Sequence, residues 1–218
     1  MAFKKENSNF EQQKQHLFRY WQKSRMITSK TVLKAFLAVQ RELFVDPSYR
    51  DQSYADNPLP ICCEQTISQP TTVLLMLQLL EVISGQRVLE IGTGSGYNAA
   101  LLAELTGKVV TVERHMKLVK LAQHNLKQAG CEGVIVVKGD GKKGYAAQAP
   151  YDRIIVTAAA KKVPQELKDQ LSIGGLLVAP IGATYGCEML TVKKISSNSF
   201  QTRDHLSLIH ISEPTRPY

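Results

Sequence analysis

No apolar run in this sequence approaches the roughly 20 residues that a helix needs to cross a bilayer. At the N-terminus, MAFKKENSNFEQQKQ places no apolar core behind Lys4 and Lys5, so it does not read as a signal peptide and a cytoplasmic location is expected. Cysteine is scarce: Cys62, Cys63, Cys131 and Cys187 form no C-x-x-C spacing, and the vicinal pair reads as reduced thiols that fill space. The five histidines show no zinc-ligand spacing either, so no metal is expected. The formal charge is +8, but long basic runs are missing. Residues 1–60 hold 10 basic against 6 acidic side chains, Arg216 cancels Glu213 in the last thirteen residues, and the rest of the excess is spread over pairs such as Lys142-Lys143 and Lys161-Lys162. Nucleic-acid binders concentrate such charge on one face, so no nucleic-acid partner is expected. There are no internal repeats.

What is present suits one domain with a sizeable core: 218 residues, 44% hydrophobic and 21% charged. Two helices open the chain. Leu17, Phe18 and Trp21 recur at helical spacing within 10–26, and Ser29 can cap a second helix carrying Val32, Leu33, Phe36 and Leu37. The Pro-, Asp- and Ser-rich stretch Asp46 to Pro60 reads as a loop, and Thr71 to Ile83 as a buried helix ended by Gly85. From there strand and helix alternate: RVLEI (87–91), YNAALLAEL (97–105), KVVTVE (108–113), a helix over 115–129, GVIVVKGD (133–140), YDRIIVTAA (151–159), VPQELKDQL (163–171), GGLLVAPIG (174–182) and a final strand MLTVKKI (189–195). This order predicts an α/β fold, a doubly wound Rossmann-like sheet with helices on both faces and an N-terminal helical extension. The expected division is a single domain over 1–205, with 1–60 as extension and loop and 61–205 as cofactor-binding core.

In such sheets a ligand sits beyond the carboxyl ends of the strands. The first strand ends in LEIGTGSGY, where Gly92, Gly94 and Gly96 permit a tight turn and a close approach to backbone. A dinucleotide fingerprint would need glycine at 97, which is Tyr97, so the spacing is G-x-G-x-G with Glu90 two residues ahead. Glu113 closes the second strand, where a carboxylate can accept from both ribose hydroxyls. Asp140, flanked by Gly139 and Gly141, closes the third, where it can accept from an exocyclic amine. Any one of these acids could be a helix cap. Three in register favour an adenosine ligand without an essential pyrophosphate, namely S-adenosylmethionine.

The strings LPICCEQTISQP, VLEIGTGSGY, GDG, APYDRIIVTAAA, VPQELKDQL and GGLLVAPIG, in this order, resemble the bacterial protein-L-isoaspartate (D-aspartate) O-methyltransferases over about Val39 to Ile195. The resemblance implies an S-adenosylmethionine-dependent methyltransferase acting on isoaspartyl-containing proteins and peptides; a monomer is expected, because a protein substrate must reach the mouth of the site. It implies that Ser68 is the active-site residue, with Thr66 supporting it. Gln65, Thr66, Ile67, Ser68 and Val73 would line the methionine end of the cofactor. Ser95, Glu113, Asp140 and Gly141 would contact the nucleoside, and Glu90, Gly92, Gly94, Gly96 and Arg114 complete the candidate set.

Spacing alone admits plainer roles. Ser68 can cap the helix that begins near Pro70, Tyr97 can be core packing rather than a cofactor platform, and Asp56 and Asn57 can be solvated loop residues rather than substrate contacts. At the level of function, two rivals are an inactive relative that binds without turnover and a methyltransferase for another acceptor. A nicotinamide dehydrogenase is disfavoured by Tyr97 and by the lack of a Tyr-x-x-x-Lys set. The family also ends in a last strand bearing an FVPL-like string, whereas this chain reads RDHLSLIHISEPTRPY. Residues 206–218 are therefore expected to be non-native or a disordered tail, with the sheet one strand short and the site lacking a wall.

Overall fold

The computed structural model describes residues 2–183 and 186–205. Helix α1 (Ala2–Ser24) and helix α2 (Lys30–Ala38) come first, and Ser29 caps α2 by accepting from Val32 N. Two short 3-10 turns follow at Arg41–Leu43 and Pro47–Gln52, so the stretch read as loop is partly helical. Strands β1 (Leu59–Ile61) and β2 (Gln65–Ile67) then pair as a small antiparallel hairpin. Its turn holds Cys63 and Glu64 at φ +62° and +57°.

Helix α3 (Pro70–Leu80) leads into the sheet-forming part: β3 (Arg87–Ile91), α4 (Tyr97–Thr106), β4 (Lys108–Glu113), α5 (Met116–Gln128), β5 (Ile135–Lys138), β6 (Tyr151–Val156), α6 (Gln165–Asp169), β7 (Leu171–Ala183), β8 (Gly186–Lys194) and β9 (Phe200–His205). Helix α3 stops at Glu81, which adopts a left-handed cap at φ +51°, four residues before the glycine expected to end it. The seven-stranded sheet runs β5-β4-β3-β6-β7-β8-β9. Its first five strands are parallel, while β8 and β9 are antiparallel additions. Sequence order reverses between β3 and β6, which makes their carboxyl ends the switch point.

Strand β9 is an edge strand that the sequence analysis did not anticipate. Its sequence, FQTRDH, alternates weakly and it exposes most of its residues, so no apolar period marks it. The sheet has a seventh strand after all. Residues 206–218, read above as a tail, lie outside the described residues.

Alternate residues feed two cores. Val88, Val109, Ile155 and Val178 join the core built with α1 to α5, whereas Leu89, Val110, Ile154 and Leu177 face the other way. Because Phe10, Leu17, Trp21 and Phe36 belong to the first of these cores, the N-terminal helices are continuous with the sheet's packing. The opposite core is covered by the five-residue α6, through Leu167, together with Val163 and Tyr151. Helices therefore load the two faces unequally.

Candidate active site

The turn after β3 is shaped by its packing against α5. Gly96, at φ +92°, forms the N-cap of α4, and a Cβ there would sit 3.2 Å from Leu126 Cγ and 3.4 Å from Ala122. Glycine thus supplies both the left-handed backbone and the space in which α5 closes on the turn. Asn125 of α5 fixes the same turn by donating to Ser95 O at 3.0 Å in a buried bond.

Above this turn lies the segment that leaves β2. A cavity of about 70 Å³ is lined by Thr66, Ile67, Ser68 and Val73 from one side and Gly92, Gly94 and Ser95 from the other. Seven of the candidates thus meet, although they come from parts of the chain some 25 residues apart. Met76, Thr93, Tyr97, Asn98 and Thr157 line the cavity too and were not singled out as cofactor contacts, apart from the open question over Tyr97. Thr157 sits at the switch point, where its N donates to Ile91 O (2.9 Å) and its hydroxyl to Gly92 O (2.7 Å). A polar residue ending an apolar strand, as in RIIVT, is the signal that could have found it.

The hydroxyl of Ser68 does not cap α3. The N-cap is Gln69, which makes no side-chain capping bond. The first turn is instead served by Asp56, whose Oδ1 accepts from Thr71 N (2.9 Å) and whose Oδ2 accepts from Thr71 Oγ1 (2.6 Å). Asp56 is therefore an exposed loop residue that is also engaged by the start of α3, and the Ser68 side chain is released from helix capping. The backbone of Ser68 is held by Arg41, fully buried, whose Nη2 donates to Ser68 O (2.8 Å) and whose Nε donates to Ser53 O (2.7 Å). The same guanidinium lies 4.7 Å from the Tyr97 ring centroid. Tyr97 is packed between this cation and Phe44, at 5.7 Å, and is buried. Nothing in the sequence links Arg41 to Ser68 across 27 positions.

The remaining candidates do not line this cavity. Gln65 turns its amide back on the hairpin, donating to Cys63 O at 3.1 Å. Glu113 ends β4 buried, with Oε2 accepting from Gly94 N (3.1 Å) and Oε1 from His115 N (2.9 Å). An ionised carboxylate offers about four acceptor sites, so two remain for ribose hydroxyls. Exposed Arg114 donates from Nε to His115 Nε2 at 3.0 Å. Asp140 is exposed and caps the following 3-10 turn through Lys142 N at 3.0 Å, one of the plainer roles an acid at a strand end can have. Gly141 lines a second cavity of about 630 Å³, which also reaches Ile91, Val156 and residues 160–162 and 164–167. Since one cavity touches Ile91 and Val156 and the other Gly92 and Thr157, both open at the ends of β3 and β6. A hydroxyl-lined cleft, a carboxylate bound to the glycine turn and a roomy neighbouring cavity suit an adenosine-bearing cofactor with an amino-acid end.

Glu90 lies beneath the cleft, fully buried. Asn98 Nδ2 donates to its Oε1 at 2.7 Å and Thr111 Oγ1 to its Oε2 at 2.5 Å. Burial pushes its carboxyl up to about 7 and the charge of Glu113 adds to this, against the pull of those two hydrogen bonds. Because this value exceeds the unfolded one near 4.3, the folded state keeps a proton that the unfolded state has released. The cost of ionising Glu90 is absent below about pH 4 and fully present above pH 7, so its contribution to stability falls as pH rises through that window. Relative to the parent, Glu90→Gln is expected to gain about 1–3 kcal/mol between pH 5 and pH 8, read from urea midpoints at the two values. A difference independent of pH would show that Glu90 does not titrate there.

Comparison with known proteins places this geometry. Residues 12–215 match the family model described as protein-L-isoaspartate(D-aspartate) O-methyltransferase (PCMT). A protein-L-isoaspartate O-methyltransferase from Staphylothermus marinus is 44% identical over 213 residues, covering 94% of this chain and 95% of the relative. One from Methanoculleus marisnigri is 53% identical over 160 residues, 73% of each chain. Both are archaeal, so the likeness is not confined to bacterial members. Among solved structures, a protein-L-isoaspartate O-methyltransferase superposes with TM-score 0.74 at 35% identity, over 83% of this chain and 60% of that one, so this chain spans less than two thirds of its length. A beta-aspartate methyltransferase (PCMT) from Plasmodium falciparum in complex with S-adenosyl-L-homocysteine shares the fold, with TM-score 0.77 at 23% identity over 87% and 93% of the two chains. Among the described residues no helix is long and apolar enough to cross a membrane. With the glycine turn and residues 66–68 lining one cavity at the switch point and the family model matched over nearly the whole chain, this protein belongs to the protein-L-isoaspartate (D-aspartate) O-methyltransferase family.

Proposed function

We propose that this chain methylates the α-carboxylate of L-isoaspartyl residues, and less readily of D-aspartyl residues, in damaged proteins and peptides. The observation that carries the reading is the convergence of Thr66 and Ser68 with Gly92, Gly94 and Ser95 on one cavity, in a chain matched to this family over residues 12–215. S-adenosylmethionine supplies an electrophilic methyl carbon: a carboxylate oxygen forms the new C–O bond as the C–S bond breaks and its electron pair passes to sulfur. The acceptor is already ionised near neutral pH, so no base has to remove a proton.

The work left to the protein is alignment and exclusion of water, which can lower a barrier by roughly 7–11 kcal/mol. Ser68 would donate a hydrogen bond that orients the carboxylate, and Thr66 would support it. Ser68 has no nucleophilic part in this scheme. Gln65, Ile67 and Val73 would enclose the methionine end, while Glu113, Asp140 and Gly141 would address the nucleoside. The ester then closes to a succinimide with loss of methanol, without further help from the enzyme. The reading carries with it a monomeric, cytoplasmic enzyme, because a protein substrate needs an open approach to the cleft.

The test is transfer of labelled methyl from S-adenosylmethionine to an isoaspartyl peptide, with the normal aspartyl peptide as control. Base-labile label on the isoaspartyl peptide alone is expected. Equal label on both peptides would overturn the repair assignment, and none on either would favour an inactive relative. Ser68→Ala is expected to lower kcat/KM about 10- to 100-fold, the loss of one hydrogen bond to a charged group.

A further inference from the structure

No residue lining the small cavity carries a charge, although the group it is proposed to receive is a carboxylate. Glu113, bound to Gly94 N, would repel such a group. The cation that reaches this wall is Arg41. Its Nη2 donates to the carbonyl of Ser68, its guanidinium lies 4.7 Å from the Tyr97 ring centroid, and Ser68 and Tyr97 both line the cavity. Arg41 is not itself a lining residue, so its charge stands one residue back from the cleft.

A guanidinium stays ionised in proteins. This one is fully buried, has no ion-pair partner among the described residues, and leaves Nη1 without an acceptor. Burial works against its charge, and the acid that favours it, Asp56, does so less than the neighbouring phenols of Tyr97 and Tyr54. A buried charge without a counter-ion is costly, whereas the two carbonyls that Arg41 holds, those of Ser53 and Ser68, need only neutral donors. The bonds alone therefore do not account for a cation at this position.

We infer that Arg41 is a specificity-determining residue for the methyl acceptor: its unpaired charge behind Ser68 and Tyr97 selects a carboxylate over a neutral group, while its grip on the Ser68 carbonyl sets that residue against the acceptor. This rests on the isoaspartyl reading above. Arg41 acts through Ser68 and through its field rather than by touching substrate, which makes it a positioning residue. The acceptor enters as an anion and leaves as a neutral ester, so the charge holds substrate more tightly than product. Because the negative charge is being lost on the way to the transition state, Arg41 serves KM more than kcat.

The test uses the complex with S-adenosylhomocysteine, whose sulfur is a neutral thioether, so that the attraction of a sulfonium for the carboxylate is absent. Binding of an isoaspartyl peptide, and of the same peptide with the α-carboxylate replaced by a carboxamide, is measured by calorimetry on the parent, Arg41→Gln and Arg41→Met. Glutamine keeps a donor for a carbonyl and loses the charge; methionine loses both. The parent is expected to bind the carboxylate peptide at least about 10-fold more tightly than the carboxamide. In both variants that ratio should fall to within about threefold, and in steady-state assays Arg41→Gln should raise KM for the isoaspartyl peptide more than it lowers kcat. Weakening of both peptides with the ratio kept would make Arg41 merely a brace for Ser68 and overturn the inference. A ratio lost in Arg41→Met but kept in Arg41→Gln would also overturn it, because charge would not be the agent. A parent that binds the two peptides equally overturns it without any variant, so misfolded variants do not protect it. A parent that binds neither peptide and transfers no methyl would count against the isoaspartyl reading itself, a different outcome from these.

Discussion

Glu113→Ala is expected to raise the dissociation constant for S-adenosylhomocysteine by about 100-fold or more, measured by calorimetry. The carboxylate ends β4 buried and already accepts from Gly94 N and His115 N, so its position is set by the glycine turn that it faces. Two further acceptor sites are free for ribose hydroxyls, and each hydrogen bond to a charged group contributes about 1.5–3 kcal/mol. Losing both, and leaving Gly94 N without its acceptor, gives the stated factor. Glu113→Gln keeps one acceptor oxygen and is expected to lose only about 10-fold. A Glu113→Ala protein that bound within about threefold of the parent would place the ribose elsewhere and leave Glu113 as a brace for the turn.

Trp21→Ala is expected to cost about 3–5 kcal/mol of unfolding free energy, read from urea transitions. The indole is fully buried, its ring meets Phe36 edge-on at 4.8 Å, and its Nε1 donates to Thr71 Oγ1 at 2.7 Å. Thr71 in turn donates through both its hydroxyl and its backbone N to Asp56, at 2.6 and 2.9 Å. One residue of α1 thus stabilises the start of α3, three positions after Ser68. Against a typical total of 5–15 kcal/mol, a loss of this size leaves a marginal protein. Trp21→Phe, which keeps most of the volume and loses only the N–H, should cost about 1–2 kcal/mol. If the two variants were equally destabilised, the polar chain to Asp56 rather than the packing would dominate.

Both effects turn on pairings that the sequence shows only in part. The sheet strands were legible because β-branched and apolar runs such as KVVTVE and RVLEI have one dominant way to be buried, as strands covered on both faces. Helix α5 was legible from its stripe, with Leu118, Val119, Ala122 and Leu126 all turned inward. Strand β9 was missed because an edge strand with four exposed residues in the middle carries no apolar period. The end of α3 at Glu81 was misplaced because its cap is a non-glycine residue in a left-handed conformation, which Gly85 appeared better suited to supply.

By itself the sequence determined the strand order's class, the glycine turn, the acid that closes each of the first strands, and, by resemblance, the family and the segment that carries Ser68. These depend on local period, turn chemistry and short strings, all of which are written in neighbouring residues. Only the tertiary structure decided which groups are already engaged. Asp56 caps α3 and frees Ser68; Arg41 grips the Ser68 carbonyl from 27 residues away; Asp140 caps its own turn; and Asn98 is left with one buried acceptor over Glu90. The physical reason is that a polar group's role is set by whichever partner reaches it once water is excluded, and those partners are chosen by the packing of distant elements rather than by position along the chain.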